Sequence, residues 1–286
     1  MVILLWLTSM GWIVKTDILP AWSANDVPRL SVDEWISVER RQTQAGVYDS
    51  RGRMGTAWSM IRVDVVPFTG QNAAAAETTT IQRNDVIHLD RLSIPSLEDA
   101  APLRVFVDSL FNQQGRLDEF TLRVLGDMVS LRVHGERFHA DFSFEITNND
   151  RPVQTFKVPL TDAGMISDAF KPFSQMTGDL HVGQTWRMQV INPLAVLTGI
   201  GPRFNTLLVQ VTGEESITTS EGTYLCRRIE AENVKAWIDD TGYARRQEMV
   251  LPVGGTIRIE SEPFDQDTYD TITRHGAAPP RGADRS

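Results

Sequence analysis

The chain has 286 residues, 41% of them apolar and 23% charged. That mix is globular, lies far from disordered or collagen-like compositions, and is long enough for one large β domain or two smaller ones. A net charge of −9 with no run of basic residues argues against a nucleic-acid partner, whose phosphates require clustered Lys and Arg, and against an electrostatic hold on anionic lipid.

Residues 2–14, VILLWLTSMGWIV, carry no charge. As a helix this stretch spans about 20 Å, short of the roughly 30 Å hydrocarbon core of a bilayer. Lys15 and Asp17 interrupt it before Ile18, Leu19, Ala21 and Trp22 extend its apolar character. A cleaved signal peptide, a signal anchor and an ordinary buried helix are the competing readings. The anchor is adopted for residues 1–22, with Lys15 snorkelling and Trp22 at the interface. The rest of the protein is expected on the periplasmic or exterior side of a cell envelope, although the single-residue N-terminal flank does not itself set the orientation. Residues 23–30 follow as a polar linker, and Ser31-Val32-Asp33-Glu34 has capping-box spacing for a short helical turn.

From there the pattern is β. Residues 44–50 and 56–66 read as strands around the turn Asp49-Ser50-Arg51-Gly52-Arg53. In the second of them Ala57, Ile61, Val63 and Val65 share one face, and Trp58, Met60, Arg62 and Asp64 the other. Residues 70–78, GQNAAAAET, read as a surface loop, and 79–94 return to extended structure. Residues 120–133 and 138–146 are expected to form a hairpin joined through His134-Gly135-Glu136-Arg137, and 152–158 a further strand. Residues 161–170, TDAGMISDAF, form the best interior helix candidate, with Met165, Ile166 and Phe170 near one face. Strands are expected again at 184–191, holding Trp186, and at 206–212, ending in an acidic turn at Glu214-Glu215. Val234 to Ile238, a turn at Asp239-Asp240-Thr241-Gly242, a return strand from Tyr243 to Val250 and a strand from Thr256 read as an antiparallel meander. Residues 265–286 lack periodicity and are expected to be a tail, disordered from about Thr273.

Ten to twelve strands and two or three short interior helices make the fold mostly β: a curved antiparallel sheet, an open or half barrel, forming a single domain over 31–264.

No catalytic pattern emerges. There is no G-x-S-x-G elbow, and Gly199-Ile200-Gly201 runs into Pro202 without a βαβ context. Cys226, the single cysteine, rules out an internal disulfide and reads as a small buried hydrophobe within a strand. His134 and His139 flank the expected turn with no third metal ligand near them. The carboxylate pairs Asp239-Asp240 and Glu214-Glu215 read as solvated turn residues. Arg245, Arg246 and Glu248 read as cross-strand partners of Arg258 and Glu260. Trp58, Trp186 and Trp237 lie on expected strands and are either core residues or the lining of an apolar cavity. A non-enzyme is therefore expected, without cofactor or metal. Its expected partners are the membrane, a lipid-like ligand or another protein, and not nucleic acid.

Several segments carry a resemblance. Gly46-Val47-Tyr48 through Gly55-Thr56-Ala57-Trp58, Asp168 to Phe173, Leu180-His181-Val182-Gly183-Gln184-Thr185-Trp186, Ala236-Trp237-Ile238-Asp239, and Gly242 through Glu248 resemble a bacterial exported β module. That module is found alone or beside transglutaminase-like domains. It is similar in turn to the unclosed β-barrel of periplasmic lipoprotein carriers, which implies a curved sheet with helices over its concave face. The resemblance brings no catalytic residues.

Overall fold

The structure is a computed structural model. It describes residues 28, 42–67, 77–91, 102–112, 117–126, 129–139, 141–159, 166–167, 173, 176, 179–191, 204–250 and 255–274. The segment 1–22, most of the linker, the helical turn at Ser31 and most of the small-residue loop lie outside those residues.

Among the described residues fifteen strands form one sheet: β1 Gln42–Asp49, β2 Gly52–Pro67, β3 Glu77–Leu89, β4 Leu103–Phe111, β5 Leu117–Gly126, β6 Val129–Phe138, β7 Asp141–Asn148, β8 Arg151–Pro159, β9 Ile166–Ser167, β10 Thr185–Ile191, β11 Phe204–Thr219, β12 Gly222–Ala231, β13 Val234–Ile238, β14 Ala244–Val250 and β15 Thr256–Glu262. One helix follows, α1 Gln266–Arg274. The spatial order β8-β7-β6-β5-β4-β3-β2-β1-β15-β14-β13-β12-β11-β10-β9 is two meanders back to back, joined where β1 pairs with β15. Pairing is antiparallel except for the two-residue parallel ladder between β9 and β10. The sheet does not close into a barrel; it ends at β8 and β9.

Period-two alternation puts one apolar set on one face across both meanders. Ala45, Ala57, Ile87, Val105, Val124 and Leu131 are successive register partners from β1 to β6. Val107, Leu122, Val133 and Ile146 form the adjacent row. The same face crosses the seam as Val47, Ile259, Gln247, Ala236, Ile229 and Val211. The apolar members of these rows, with Phe120, Phe142 and Phe144, fall into two buried clusters, the first centred on β1 to β7 and joined by Ile259, the second on β10 to β14. Phe173, Met176 and Leu180 pack onto the second.

The opposite face is mainly polar; among the described residues it carries an apolar patch under α1 and a second around Trp237, Cys226 and Ile217. Trp58, Val86 and Phe106 are register partners in the first, and Phe264, Tyr269 and Ile272 pack against them. Asp265 caps α1 by accepting from Thr268 N and Thr268 Oγ1 at 3.1 and 2.7 Å, a standard N-terminal arrangement. The amide oxygen of Gln44 accepts from both Trp58 Nε1, at 2.8 Å, and Asp265 N, at 2.9 Å, fixing the helix start to β1.

Several expectations require correction. Residues 120–133 are not one strand: β5 ends at Gly126 and β6 starts at Val129, so His134 to Arg137 lie inside β6 and the turn falls at His139, whose φ is 57°. Glu214-Glu215 is not a turn but part of the long strand β11. Within the expected helix at 161–170, Ile166 and Ser167 are extended and pair with Gln189 and Val190; the rest lies outside the described residues. The first part of the expected tail is α1, because Tyr269 and Ile272 share a helix face that covers Trp58. The strand β4 had no counterpart in the sequence reading.

The free edge β8 is blunted. Pro152 and Pro159 bracket it, a bulge falls between its pairings with Ile146 and Thr147, and Lys157 projects from it. Such features discourage edge-to-edge pairing.

Gly135 occupies the gap between Phe120 and Phe144 in their row, and a Cβ there would collide with the rings of Phe120 and Phe142. Gly135→Ala is expected to lose about 1–3 kcal/mol, the usual cost of overpacking, read as a lower urea midpoint. Gly213→Ala, where nothing lies within 4 Å of an added Cβ, is the control and should show no such loss.

Candidate functional site

The three tryptophans proposed as a cavity lining are not brought together. Trp58 (1% exposed) packs beneath α1, Trp186 (0%) lies in the β10–β14 cluster, and Trp237 (7%) packs with Ile217, Cys226 and Tyr224. The reason is strand parity. Trp58 and Trp237 follow Ala57 and Ala236 by one residue and so point away from the face those alanines share. Trp186 pairs with Val209 on that apolar face. Trp237 Nε1 donates to Glu215 Oε2 at 3.0 Å.

Two buried charge clusters differ in how completely they are satisfied. In the first, Arg245 Nε donates to Asp239 Oδ2 at 2.6 Å and Nη1 to Glu221 Oε2 at 2.7 Å. Its guanidinium lies 3.7 Å from the Tyr224 ring centroid. Asp239 Oδ1 accepts from Thr241 N, Thr241 Oγ1 and Tyr243 N. Asp239 is therefore not the solvated turn residue expected; it is 3% exposed and clamps the β13–β14 connection. Arg246 meets Glu260 at 3.1 Å, as expected for cross-strand partners, and Glu248 lies opposite Arg258. Such closed networks hold strands in register.

The second cluster is open. Along β3, Ile81, Arg83, Asp85 and Ile87 alternate onto the apolar face. Ile61 and Ser109 flank Arg83, and Ser59 and Val107 flank Asp85. Arg83 Nε approaches Asp85 Oδ2 at 2.8 Å, yet the approach is misaligned for a hydrogen bond. Arg83 Nε and Nη2 and both Asp85 oxygens have no hydrogen-bond partner. Four of the seven buried side-chain polar atoms without a partner among the described residues belong to this pair. Sequence reading assigned the strand but did not follow its parity; two charges in phase with Ile81 and Ile87 were the available signal.

The remaining candidates resolve simply. His134 sits within β6 with Nδ1 3.1 Å from Thr121 Oγ1, while His139 is at the turn, its ring edge-on to Phe138. The described residues contain no group of three metal-ligating side chains, and no helix among them is long and apolar enough to cross a membrane. A groove of ≈ 340 Å³ beside the β12–β13 turn is lined by Glu230, Glu232, Lys235 and Glu248, a charged surface rather than an apolar cavity. Tyr48 OH donates to Glu262 Oε1 at 2.6 Å; burial and that carboxylate push the phenol up to about 12. Burial, reinforced by the charge of Asp239, pushes the Cys226 thiol up to about 11.

Two titration outcomes follow. At pH 8 a thiol at about 11 is roughly 0.1% thiolate, so native Cys226 should resist iodoacetamide and label fully only after unfolding. Tyr48, raised in the fold above the usual phenol value of about 10, contributes stability that is complete below pH 10 and is lost as pH rises toward 12. The urea midpoint of the wild type should therefore fall more steeply than that of Tyr48→Phe above pH 10. Comparison with protein-family models, curated proteins and solved structures finds no match to this chain.

Proposed function

We propose that the chain is a non-catalytic binding module of the cell envelope, tethered through residues 1–22, that holds an apolar, lipid-like ligand against the apolar face of its sheet. The observation that carries this reading is the sheet itself. It is open at both ends, and one apolar face continues across the β1–β15 seam from Ile146 on β7 to Val211 on β11. A half-barrel curvature would make that face concave. In favour of it, twisted open sheets of more than about ten strands tend to curl. Register shifts at Val47/Tyr48, Leu110/Phe111, Ile146/Thr147, Val211/Gly213 and Trp237/Ile238 add local bending.

The second reading is a structural module of the envelope acting through protein contacts. It is favoured by the burial of all three tryptophans in separate clusters, and by Phe138 and Val153, 61% and 63% exposed on β6 and β8.

The two readings part in a titration of the purified full chain with diphenylhexatriene, a hydrocarbon whose fluorescence rises in apolar surroundings. Saturable binding near one probe per chain, reversed by added lipid, is expected. A signal that grows linearly without saturation would remove the ligand-binding reading and leave the protein-contact one.

A further inference from the structure

Arginines in this fold commonly end on a carboxylate: Arg53, Arg91, Arg137, Arg245 and Arg246 each approach one to 3.1 Å or closer. A group on the polar face of β4, β5 and β6 departs from that habit. Arg123 and Arg132 are register partners, and Arg104 is the diagonal neighbour of Arg123, because Arg104 pairs with Leu125 and Phe106 with Arg123. Directly opposite residues have Cβ atoms about 5 Å apart and diagonal ones about 7–8 Å, within reach of one another for side chains of this length. Three guanidinium groups thus share one patch of a chain whose net charge is −9. Like charges set directly opposite each other destabilise a sheet. Among the described residues Arg104 and Arg132 meet no carboxylate. Arg123 Nη2 lies 3.5 Å from Asp108 Oδ2, while the other oxygen of that carboxylate accepts from Asn84 Nδ2 at 2.5 Å. The patch is open to solvent: Arg132 is exposed, Arg104 is half-buried, and the Arg123 side chain is 22% exposed. The Arg123 guanidinium carbon sits 5.1 Å from the centroid of the Phe106 ring, which is itself packed with Trp58 and Val86. That stacking seats the central arginine of the three.

We propose that Arg104, Arg123 and Arg132 form a binding site for a phosphate monoester group. The site lies on the face opposite the one assigned to the apolar ligand and does not rest on that reading. Each guanidinium presents a planar fork of N–H donors that matches a phosphate oxygen pair, and the dianion has oxygens and charge enough to engage several forks at once. A carboxylate, with two oxygens and one charge, satisfies one fork and leaves the other arginines facing each other. Acidic side chains bound the patch: Asp108 beside Arg123, and Glu145, which is diagonal to Arg132 through the pairs Arg132 with Thr147 and His134 with Glu145. They favour a compact anion over an extended polyanion, so nucleic acid remains a poor partner. A phosphorylated small molecule and the head group of phosphatidic acid share this chemistry. The three arginines come from three strands and form no basic run in the sequence, and only the register brings them together.

The test titrates the full chain with glycerol 3-phosphate or acetate by calorimetry at low ionic strength. In parallel the chain is sedimented with phosphatidylcholine vesicles holding phosphatidic acid or, at matched surface charge, phosphatidylserine; the difference between the two vesicle types is the readout, so a tether common to both cancels. Arg132→Gln is compared with Arg187→Gln, which removes the same charge from an exposed position on β10. Saturable binding of glycerol 3-phosphate near one per chain, not seen with acetate, is expected, weakened about tenfold or more by Arg132→Gln and unchanged by Arg187→Gln. The same pattern confined to phosphatidic acid vesicles would uphold the site and assign it to a lipid head group. Arg104→Gln should weaken binding as Arg132→Gln does, and neither variant should lower the urea midpoint, since each relieves a like-charge contact. Equal weakening by Arg132→Gln and Arg187→Gln, no preference for phosphate over the competing anion in either format, or no saturable binding in both would overturn the proposal.

Discussion

The antiparallel pairing of β1 with β15 is the constraint on which the rest of the architecture depends. Gln44 to Tyr48 face Glu262 to Arg258 across more than two hundred residues of chain, and without that ladder the two meanders would be separate sheets. The seam also gathers the side chains that need both ends of the sequence. Tyr48 reaches Glu262, Arg53 ion-pairs with the other oxygen of the same carboxylate, and Gln44 holds Trp58 and the first turn of α1 together. Gly46 permits this: a Cβ there would run into Glu262 and Tyr48. Contacts of such separation carry the full entropy of closing the chain and form slowly. Docking of α1 needs both Trp58 and the end of β15, and so depends on the same long-range closure.

Once the seam is made, parity governs everything placed on the sheet. Alternation carries the apolar rows of the first meander into the second, and sends Trp58, Trp237 and the Arg246–Glu260 pair to the opposite side. The Arg245 network sits where β13 turns into β14, and the register shift at Trp237/Ile238 inserts one extra residue there. That shift lets Arg245 turn toward Asp239 and Glu221, while Arg246 keeps its place opposite Glu260.

Strand existence was legible in the sequence wherever alternation was bounded by strong turn residues. The β1–β2 and β13–β15 segments were read close to their observed limits for that reason. Where turn residues occur inside strands, the reading failed: Gly135 looked like a hairpin turn, but its missing side chain is filled by the rings of Phe120 and Phe142. Glu214-Glu215 looked like a turn because acidic pairs usually are, yet both residues are paired across β11 and β12, opposite Arg227 and Cys226. The short parallel strand at Ile166 depends on a partner more than twenty residues away, which no local pattern encodes. The tryptophan cavity failed for a different reason: each residue was placed on a strand, but the faces were not compared. The same comparison would have exposed Arg83 and Asp85, whose positions in phase with Ile81 and Ile87 are a property of four consecutive alternate residues.

The edge at β8 bears on how the molecule behaves in company. A sheet of fifteen strands with one bare, regular margin would be a template for its own growth, each copy extending the last into a ribbon. Here the margin carries two imino acids, an interrupted ladder and a lysine, so a neighbouring copy finds neither a continuous run of free amides nor a neutral surface. An edge interrupted in this way gives a neighbouring copy little to pair with, which works against ribbon-like growth from that margin.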